Sequence, residues 1–428
     1  GEALLDRNDV DDQFVGTDYA TNPPDGFDFT GYRLFPVLLA WLTAPILYAI
    51  FFLITRKPTW ALLFSLLYVF DNALIVLARS AMLDSTLLFF SSLTLLGFFL
   101  LVRPSSDKAV PWHALLFGVA FGCAMATKAF ALIFVLLVPI VWWYMRRDTQ
   151  RIATATAVAG MSFLATFLGT WYVHFALFDT VDHRLPDNGY YQSSDASISI
   201  IDDGKTASIF AFPVLLQDAF AFVSHYQAGV PELDLAKADE NGSPWFLWPI
   251  GARTINYRWE TPDGYSYRYL YLVPNPAVWF FSLLGVVVAA ILFCAPYIVP
   301  DAKKSPVHRE IGSMLLLYVC YLIAVSRIDR VMYLYHYFLP LAFSFVLLAL
   351  AFASLRNIGR LHLDDDRRTW GLLTLAILTF IGFQFYRPFT YYEPMTDDAV
   401  ETRAIVKLWD LHCVECEAPH VLAKPTRN

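Results

Sequence analysis

Charged residues that rarely tolerate apolar surroundings stand at the ends of long apolar runs in this chain. Arg33 opens the first run, and Arg79-Ser80-Ala81-Met82-Leu83-Asp84 forms the turn between the second and third. Lys128 divides the fourth run from the fifth, and Arg327-Ile328-Asp329-Arg330 precedes Tyr333-Leu334-Tyr335-His336-Tyr337. A charge at membrane depth costs about 2.5–3.5 kcal/mol at a helix centre and less toward the interface, so it usually has a partner or a task. Arginine pairs bidentately with phosphate and lysine binds it as a point charge. Four or five cations, a histidine and many aromatics above an apolar body therefore suit an anionic lipid headgroup at the bilayer surface. Each also has a plainer reading. Arg33 and Lys128 could snorkel, Arg79 and Asp84 could pair as a hairpin staple, and His336 could belong to an interface belt.

The elements that position these groups follow from composition. Of 428 residues, 57% are apolar and 16% charged, against roughly 45–50% and 25% in soluble domains. The excess gathers into runs near 34–54, 60–78, 85–102, 112–127, 129–145, 152–178, 276–298, 311–326, 334–354 and 370–386. Length and scarcity of charge predict about ten transmembrane helices, the one backbone form besides a closed barrel that lipid permits. The fold class is an all-α polytopic membrane protein. A soluble helical protein would need a charged face on each helix, and these runs lack one. A net charge of −7 offers no footprint for nucleic acid.

Alternate loops differ in charge. One set holds Arg56-Lys57, Arg103 with Lys108, Arg146-Arg147 with Arg151, Lys303-Lys304 with Arg309, and Arg356, Arg360, Arg367 and Arg368; the other has only Arg79, Lys128, Arg327 and Arg330 in its short connections. The positive-inside rule assigns the first set to the cytoplasm. The chain then divides into an outer segment 1–32, spans over 33–178, a long outer loop 179–275, spans over 276–386 and an outer tail 387–428. Within the loop, 208–222 is apolar but short, which predicts an interfacial or re-entrant helix. No signal peptide opens the chain. An even number of spans starting outside predicts at least one further helix upstream of Gly1.

Other motifs say less. Ser243-Pro244-Trp245-Phe246-Leu247-Trp248-Pro249 reads as an interfacial wedge with Trp at headgroup level. Tyr257, Trp259, Tyr265, Tyr267, Tyr269 and Tyr271 could stack on a sugar or peptide, or form an interface belt. Cys123, Cys294 and Cys320 lie in spans as packing residues. Cys413 and Cys416, beside His412 and His420, fit a short-loop disulfide, a weak metal site or free thiols. Asn241-Gly242-Ser243 matches a glycosylation sequon, disfavoured by the following proline. Neither a Gly-rich phosphate loop, a zinc-ligand helix nor a Gly-x-Ser-x-Gly elbow is present. A sugar transferase working outside the cell has no nucleotide sugar there, so its donor would be lipid-linked.

Six stretches together resemble the protein O-mannosyltransferases, the polyprenyl- or dolichyl-phosphate-mannose-dependent glycosyltransferase family 39, in its prokaryotic form. They are Tyr32 to Pro36, Asp71 to Asp84, Gly118 to Lys128, Ser243 to Pro249, Asn275 to Trp279 and Arg330 to Phe338, in the family's order across most of residues 30–395. The resemblance implies a GT-C bundle that transfers mannose, with inversion, from the carrier to Ser or Thr hydroxyls of secreted proteins. The active site would face outward in a prokaryotic plasma membrane. It implies the lipid-linked donor, the acceptor segment and the bilayer as partners, no nucleic acid and no cofactor, and leaves oligomers and metal need open. Arg33 would take the carrier phosphate, and Arg330 and His336 the donor end. Lys128 could do either that or order the loops, where Arg79, Asp84 and Tyr335 would support it.

Two departures stand out. The family's first-loop acidic pair and His-Pro-Pro-Leu-Gly-Lys element are missing. Gly1-Glu2-Ala3-Leu4-Leu5 resembles the family's residues just downstream of that element, so the catalytic base is expected upstream. Asp11, Asp12 and Asp18 match no motif and do not replace it. The 97-residue outer loop also leaves no room for the trefoil domain of eukaryotic members. Rivals are a related lipid-phosphate-sugar transferase acting on a lipid or polysaccharide, a transporter, and an inactive scaffold. A transporter would predict mid-span charges and broken helices in repeated halves.

Overall fold

The computed structural model describes residue 5 and residues 27–103, 106–177, 190–237, 240–261, 266–300, 302–358 and 361–411. Asp11, Asp12, Asp18, Tyr265, His412, Cys413, Cys416 and His420 lie outside them, as does the whole of the stretch 6–26.

Among the described residues, eight helical segments are long and apolar enough to cross a bilayer. They contain α1 (Thr30–Thr55), α4 (Asp84–Val102), α5 (Val110–Thr127), α7 (Thr149–Ala176), α10 (Pro276–Ile298), α11 (His308–Val325), α12 (Phe338–Ser354) and α13 (Asp365–Tyr391). The second run is a broken span: α2 (Pro58–Val69) meets α3 (Asn72–Ala78) at 66°. Asp71 causes the break. Its backbone is extended and its carboxylate accepts the Leu74 N–H at 2.9 Å, so it caps α3 instead of continuing α2.

The remaining run, Ala129–Met145, is short of a standard span. Its first part, Ala129–Leu136, is a 3-10 helix, followed by α6 (Leu137–Met145). At about 2.0 Å rise per 3-10 residue and 1.5 Å per α residue, it still reaches roughly 30 Å, the thickness of a hydrocarbon core.

Long-range polar contacts sort the loops into the two sets that ten crossings require. On one side Lys57 pairs with Asp365 at 2.5 Å, Arg103 with Glu310 at 2.8 Å, and Arg151 with Asp107. On the other Lys128 pairs with Asp84 at 2.7 Å, and Arg79 donates to the Thr390 carbonyl at 2.8 Å. Were Ala129–Met145 not a crossing, Arg151 could not reach Asp107.

Between the helices the core is apolar and closely packed. α5 and α7 cross where a Cβ on Gly118 would meet the Ser162 hydroxyl and the Ala159 carbonyl. Small residues at such crossings let backbones approach, which matters where lipid supplies no hydrophobic drive between helices.

The described part of the long loop 179–275 is folded onto the bundle. It carries α8 (Asp195–Asp202), the largely exposed α9 (Phe212–Gly229), a 3-10 turn at Trp245–Ile250 and an antiparallel hairpin of β1 (Ile255–Glu260) and β2 (Arg268–Leu272). Strand alternation puts Tyr267, Tyr269 and Tyr271 on one face. All three are buried in a second core with Tyr386, Phe389 and Trp409. They therefore form neither an exposed stacking platform nor a belt. Tyr257 and Trp259, from β1, remain 40% and 37% exposed.

Candidate functional site

The turns at Lys128 and at Arg330 to His336 converge on a cavity of about 990 Å³. Lys128, Arg330, Tyr335 and His336 line it, with Leu132, Val135, Phe167 and Trp171 among its apolar walls. Lys128 is brought there by the end of α5: it is the residue at which the helix stops, extended at φ −153 and ψ 140, and the 3-10 segment begins. Its ammonium lies 5.7 Å from the Tyr335 ring centroid and 2.7 Å from Asp84 Oδ2. Asp84, buried at the start of α4, also lines a small adjoining cavity with Tyr335 and His336. Among the described residues lining the two cavities it is the sole carboxylate.

Asp84 and Arg79 are not paired with each other, contrary to the staple expectation. Arg79 closes α3 and turns to the end of α13, donating to the Thr390 carbonyl, with its guanidinium 4.9 Å from the Tyr391 ring centroid. Arg79 thus ties helices together and lines none of the described cavities.

His336 is 7% exposed and held on several sides. It sits in a 3-10 turn, Leu334–Tyr337, and its Nδ1 lies 3.0 Å from both the N–H and the carbonyl oxygen of Tyr333, accepting from the one or donating to the other according to its tautomer. That contact leaves Nε2 as the edge able to meet a ligand. Its ring stacks on Tyr335 at 4.5 Å and lies 6.1 Å from Trp248, while Phe130 meets it edge-on at 5.3 Å. The wedge motif is thereby corrected in part. Trp248 is fully buried, its indole N–H donating to the Ser243 carbonyl at 2.9 Å, and only Trp245 and Phe246 remain exposed. The motif supports the histidine from beneath.

Arg330 is the least satisfied cation. Its Nε is buried without a hydrogen-bond partner, and no carboxylate pairs with its guanidinium among the described residues. Arg33 stands apart. It is exposed on the first turn of α1, its guanidinium 5.2 Å from the Phe29 ring centroid, and it lines none of the described cavities.

Two placements were not read from the sequence. Tyr257 reaches back from β1: burial of its hydroxyl, with Tyr335 and Asp84 nearby, pushes its ionisation above the ordinary phenol value. The sequence offered it only as one of several aromatics that could stack on a sugar or peptide or form a belt. The second is a buried polar hub around Asp71, which accepts from the Trp279 indole at 2.9 Å and the Asn275 N–H at 3.2 Å. Asn275 in turn donates to the Phe70 and Thr379 carbonyls, each at 2.8 Å, and Asn72 donates to Thr390 Oγ1 at 2.8 Å. An Asp-Asn pair inside an apolar run was the available signal. The bonds around Asp71 and Asn275 mark it as a structural junction, although Asn72 Oδ1 and the Thr379 hydroxyl stay buried without a partner among the described residues. Among the described residues no group of three or more His, Cys, Asp or Glu could hold a metal.

Comparison with known proteins bears on this arrangement. Residues 15–180 match the family model described as dolichyl-phosphate-mannose-protein mannosyltransferase, and 219–409 match the C-terminal four-transmembrane region of protein O-mannosyltransferase. The chain is 35% identical over 131 residues to dolichyl-phosphate-mannose–protein mannosyltransferase 1 of Schizosaccharomyces pombe, covering 28% of this chain and 14% of that protein. Over 128 residues it is 32% identical to mouse protein O-mannosyl-transferase 1, covering 29% of this chain and 17% of that protein. The matched segments thus span only a small part of these relatives. The Saccharomyces cerevisiae Pmt1-Pmt2 complex bound to the sugar donor superposes with a TM-score of 0.70 at 14% identity, over 92% of this chain and 82% of that chain. The shared fold is the multi-span GT-C bundle. Successive family models over both halves, on a fold of that type, establish that this chain belongs to the protein O-mannosyltransferase family.

Proposed function

We propose that this protein transfers mannose from a polyprenyl- or dolichyl-phosphate carrier to Ser or Thr hydroxyls of proteins, with inversion, at the outer face of a prokaryotic plasma membrane. One observation carries the reading. Arg330, with no partner for its buried Nε, stands beside Lys128 and His336 at an apolar cavity large enough for a lipid-borne headgroup. The relatives' names point to the same donor and acceptor.

In this reading the acceptor oxygen attacks the anomeric carbon while the carbon–oxygen bond to the carrier phosphate breaks. The bonding pair leaves with the phosphate, where Arg330 and Lys128 meet the growing charge. Asp84 holds Lys128 in position, and His336 offers Nε2 to the donor. The acceptor's proton passes to a carboxylate acting as general base. Asp84 is committed to Lys128, so that base comes from outside the described lining. Arg33, at the exposed entrance of α1, is a guide for the carrier rather than a ligand inside the cavity.

The test is transfer from polyprenyl-phosphate-mannose by the protein in vesicles, with a Ser/Thr peptide and a lipid acceptor offered separately. Inverted mannose on the peptide is the expected product. Product on the lipid alone would move the protein to a related transferase, and product on neither, with the segment upstream of Gly1 supplied, would make it a scaffold.

A further inference from the structure

On the side of the basic loops, a second cavity of about 940 Å³ opens between α6 and the facing ends of α10 and α11. It arises because Ala129–Met145 packs against α11 through its 3-10 half, while cations and rings from α6 and α11 meet across the gap farther on. Ile140, Leu316 and Val319 are among the apolar residues of its walls. The Arg309 guanidinium lies 4.6 Å from the Trp143 ring centroid, and the Lys304 ammonium 4.7 Å from that of Tyr297. Cations held against rings in this way are aimed, rather than spread through solvent.

Three further observations bear on what the groove takes. His308, 6% exposed, lines it with Nδ1 buried and unpartnered among the described residues. The one acid in its lining, Glu310, is neutralised by Arg103 at 2.8 Å. A smaller cavity continues past Tyr144 and Arg309 to Arg146, Arg147 and Arg151. The acid there, Asp148, pairs with Arg151, as does Asp107 outside its lining. Lys304, Arg309, Arg146 and Arg147 have no carboxylate partner among the described residues, so the groove is apolar in its walls and positive at its mouth.

We infer that this groove binds an anionic phospholipid of the cytoplasmic leaflet, with its phosphate at Arg309 and Lys304 and its acyl chains along Ile140, Leu316 and Val319. Basic pockets between transmembrane helices on the cytoplasmic side suit such headgroups, and the volume is that of a ligand site. The inference is independent of mannosyl transfer and is read without it.

The experiment is native mass spectrometry of the protein released from nanodiscs of equimolar phosphatidylglycerol and phosphatidylcholine. Wild type should retain phosphatidylglycerol preferentially. Arg309→Ala with Lys304→Ala should lower that preference about thirtyfold, the effect of two surface cations. Val319→Trp, which fills the groove without touching its charge, should lower retention of the same lipid. Arg356→Ala removes a cation of the same face outside the groove and should change nothing. Equal retention of both lipids by wild type, unchanged retention in both groove variants, or an equal loss in Arg356→Ala would each overturn the inference. The thermal transition of each variant identifies a folding defect, and Val319→Trp decides the matter should the double variant not fold.

Discussion

Two ion pairs of similar burial hold opposite ends of the bundle, and they are built differently. Arg103 and Glu310 retain 18% and 8% side-chain exposure, Lys128 and Asp84 23% and 7%. Arg103 sends Nε and Nη2 to one carboxylate oxygen at 3.0 and 2.8 Å and Nη1 to the Leu53 carbonyl at 2.8 Å. That guanidinium joins α4, α11 and α1. Lys128 makes one such bond and faces a cavity that Arg330 shares. Burial alone does not separate a staple from a site. The number of groups that tie the cation into the bundle does.

The largest effect expected is on the Arg103–Glu310 pair. Arg103→Ala leaves Glu310 buried and uncompensated, which should cost about 3–5 kcal/mol. Replacing both residues with leucine should recover much of that loss, since the buried charge goes with its partner. Thermal unfolding in detergent measures both. Transfer activity per folded molecule should stay near wild type, and a selective activity loss at Arg103 would break the contrast.

Arg330→Ala is the mirror experiment. Turnover should fall about 10²–10³-fold, as when a preorganised donor to a leaving charge is removed, with little change in the unfolding midpoint. Arg33→Ala should cost less, because that side chain lies outside the cavity. Kinetics with a peptide acceptor decide the order, and equal losses would erase the distinction between pocket and entrance.

A third, smaller effect concerns the frame behind Lys128. Gly118→Ala drives a methyl group into Ser162 and the Ala159 backbone, an overpacking cost of about 1–3 kcal/mol. The midpoint should drop while KM for the carrier is unchanged. A selective rise in KM would show that the α5–α7 crossing tunes the site itself.

Legibility in the sequence divides along the same line. The ten apolar segments were legible because lipid demands satisfied backbones, and length with scarcity of charge is enough to find them. The division of the loops into two sets was legible in the placing of basic residues. The break at Asp71 was not, because the run 60–78 reads as one helix unless the carboxylate is recognised as a cap. Arg79 and Asp84 are close in sequence, yet the end of α3 turns Arg79 toward α13 while Lys128 arrives from another helix. Tyr267, Tyr269 and Tyr271 carried a strand's period of two, but which face they bury depends on Tyr386 and Trp409, far along the chain. Lys128, Arg330, Tyr335 and His336 were found as types at the right depth. Their meeting, and the separateness of Arg33, are properties of packing.

Tyr257 gives the finest test of how the site handles protons. Its ring is 40% exposed, but its hydroxyl is buried, and burial, Tyr335 and Asp84 raise its ionisation above the ordinary value near 10. A raised value of this kind contributes stability fully present below the unfolded value and lost as pH climbs past it, because the unfolded chain ionises first. Between about pH 6 and 9 the phenol is therefore neutral in both states, and it can donate a hydrogen bond but cannot serve as base. Tyr257→Phe should then lower turnover only severalfold, the worth of about 0.5–1.5 kcal/mol for one hydrogen bond, and leave the shape of the pH–rate profile unchanged. A displaced acidic limb would mean that Tyr257 is coupled to the base, and the outer site would then handle protons through the hairpin as well as through the bundle.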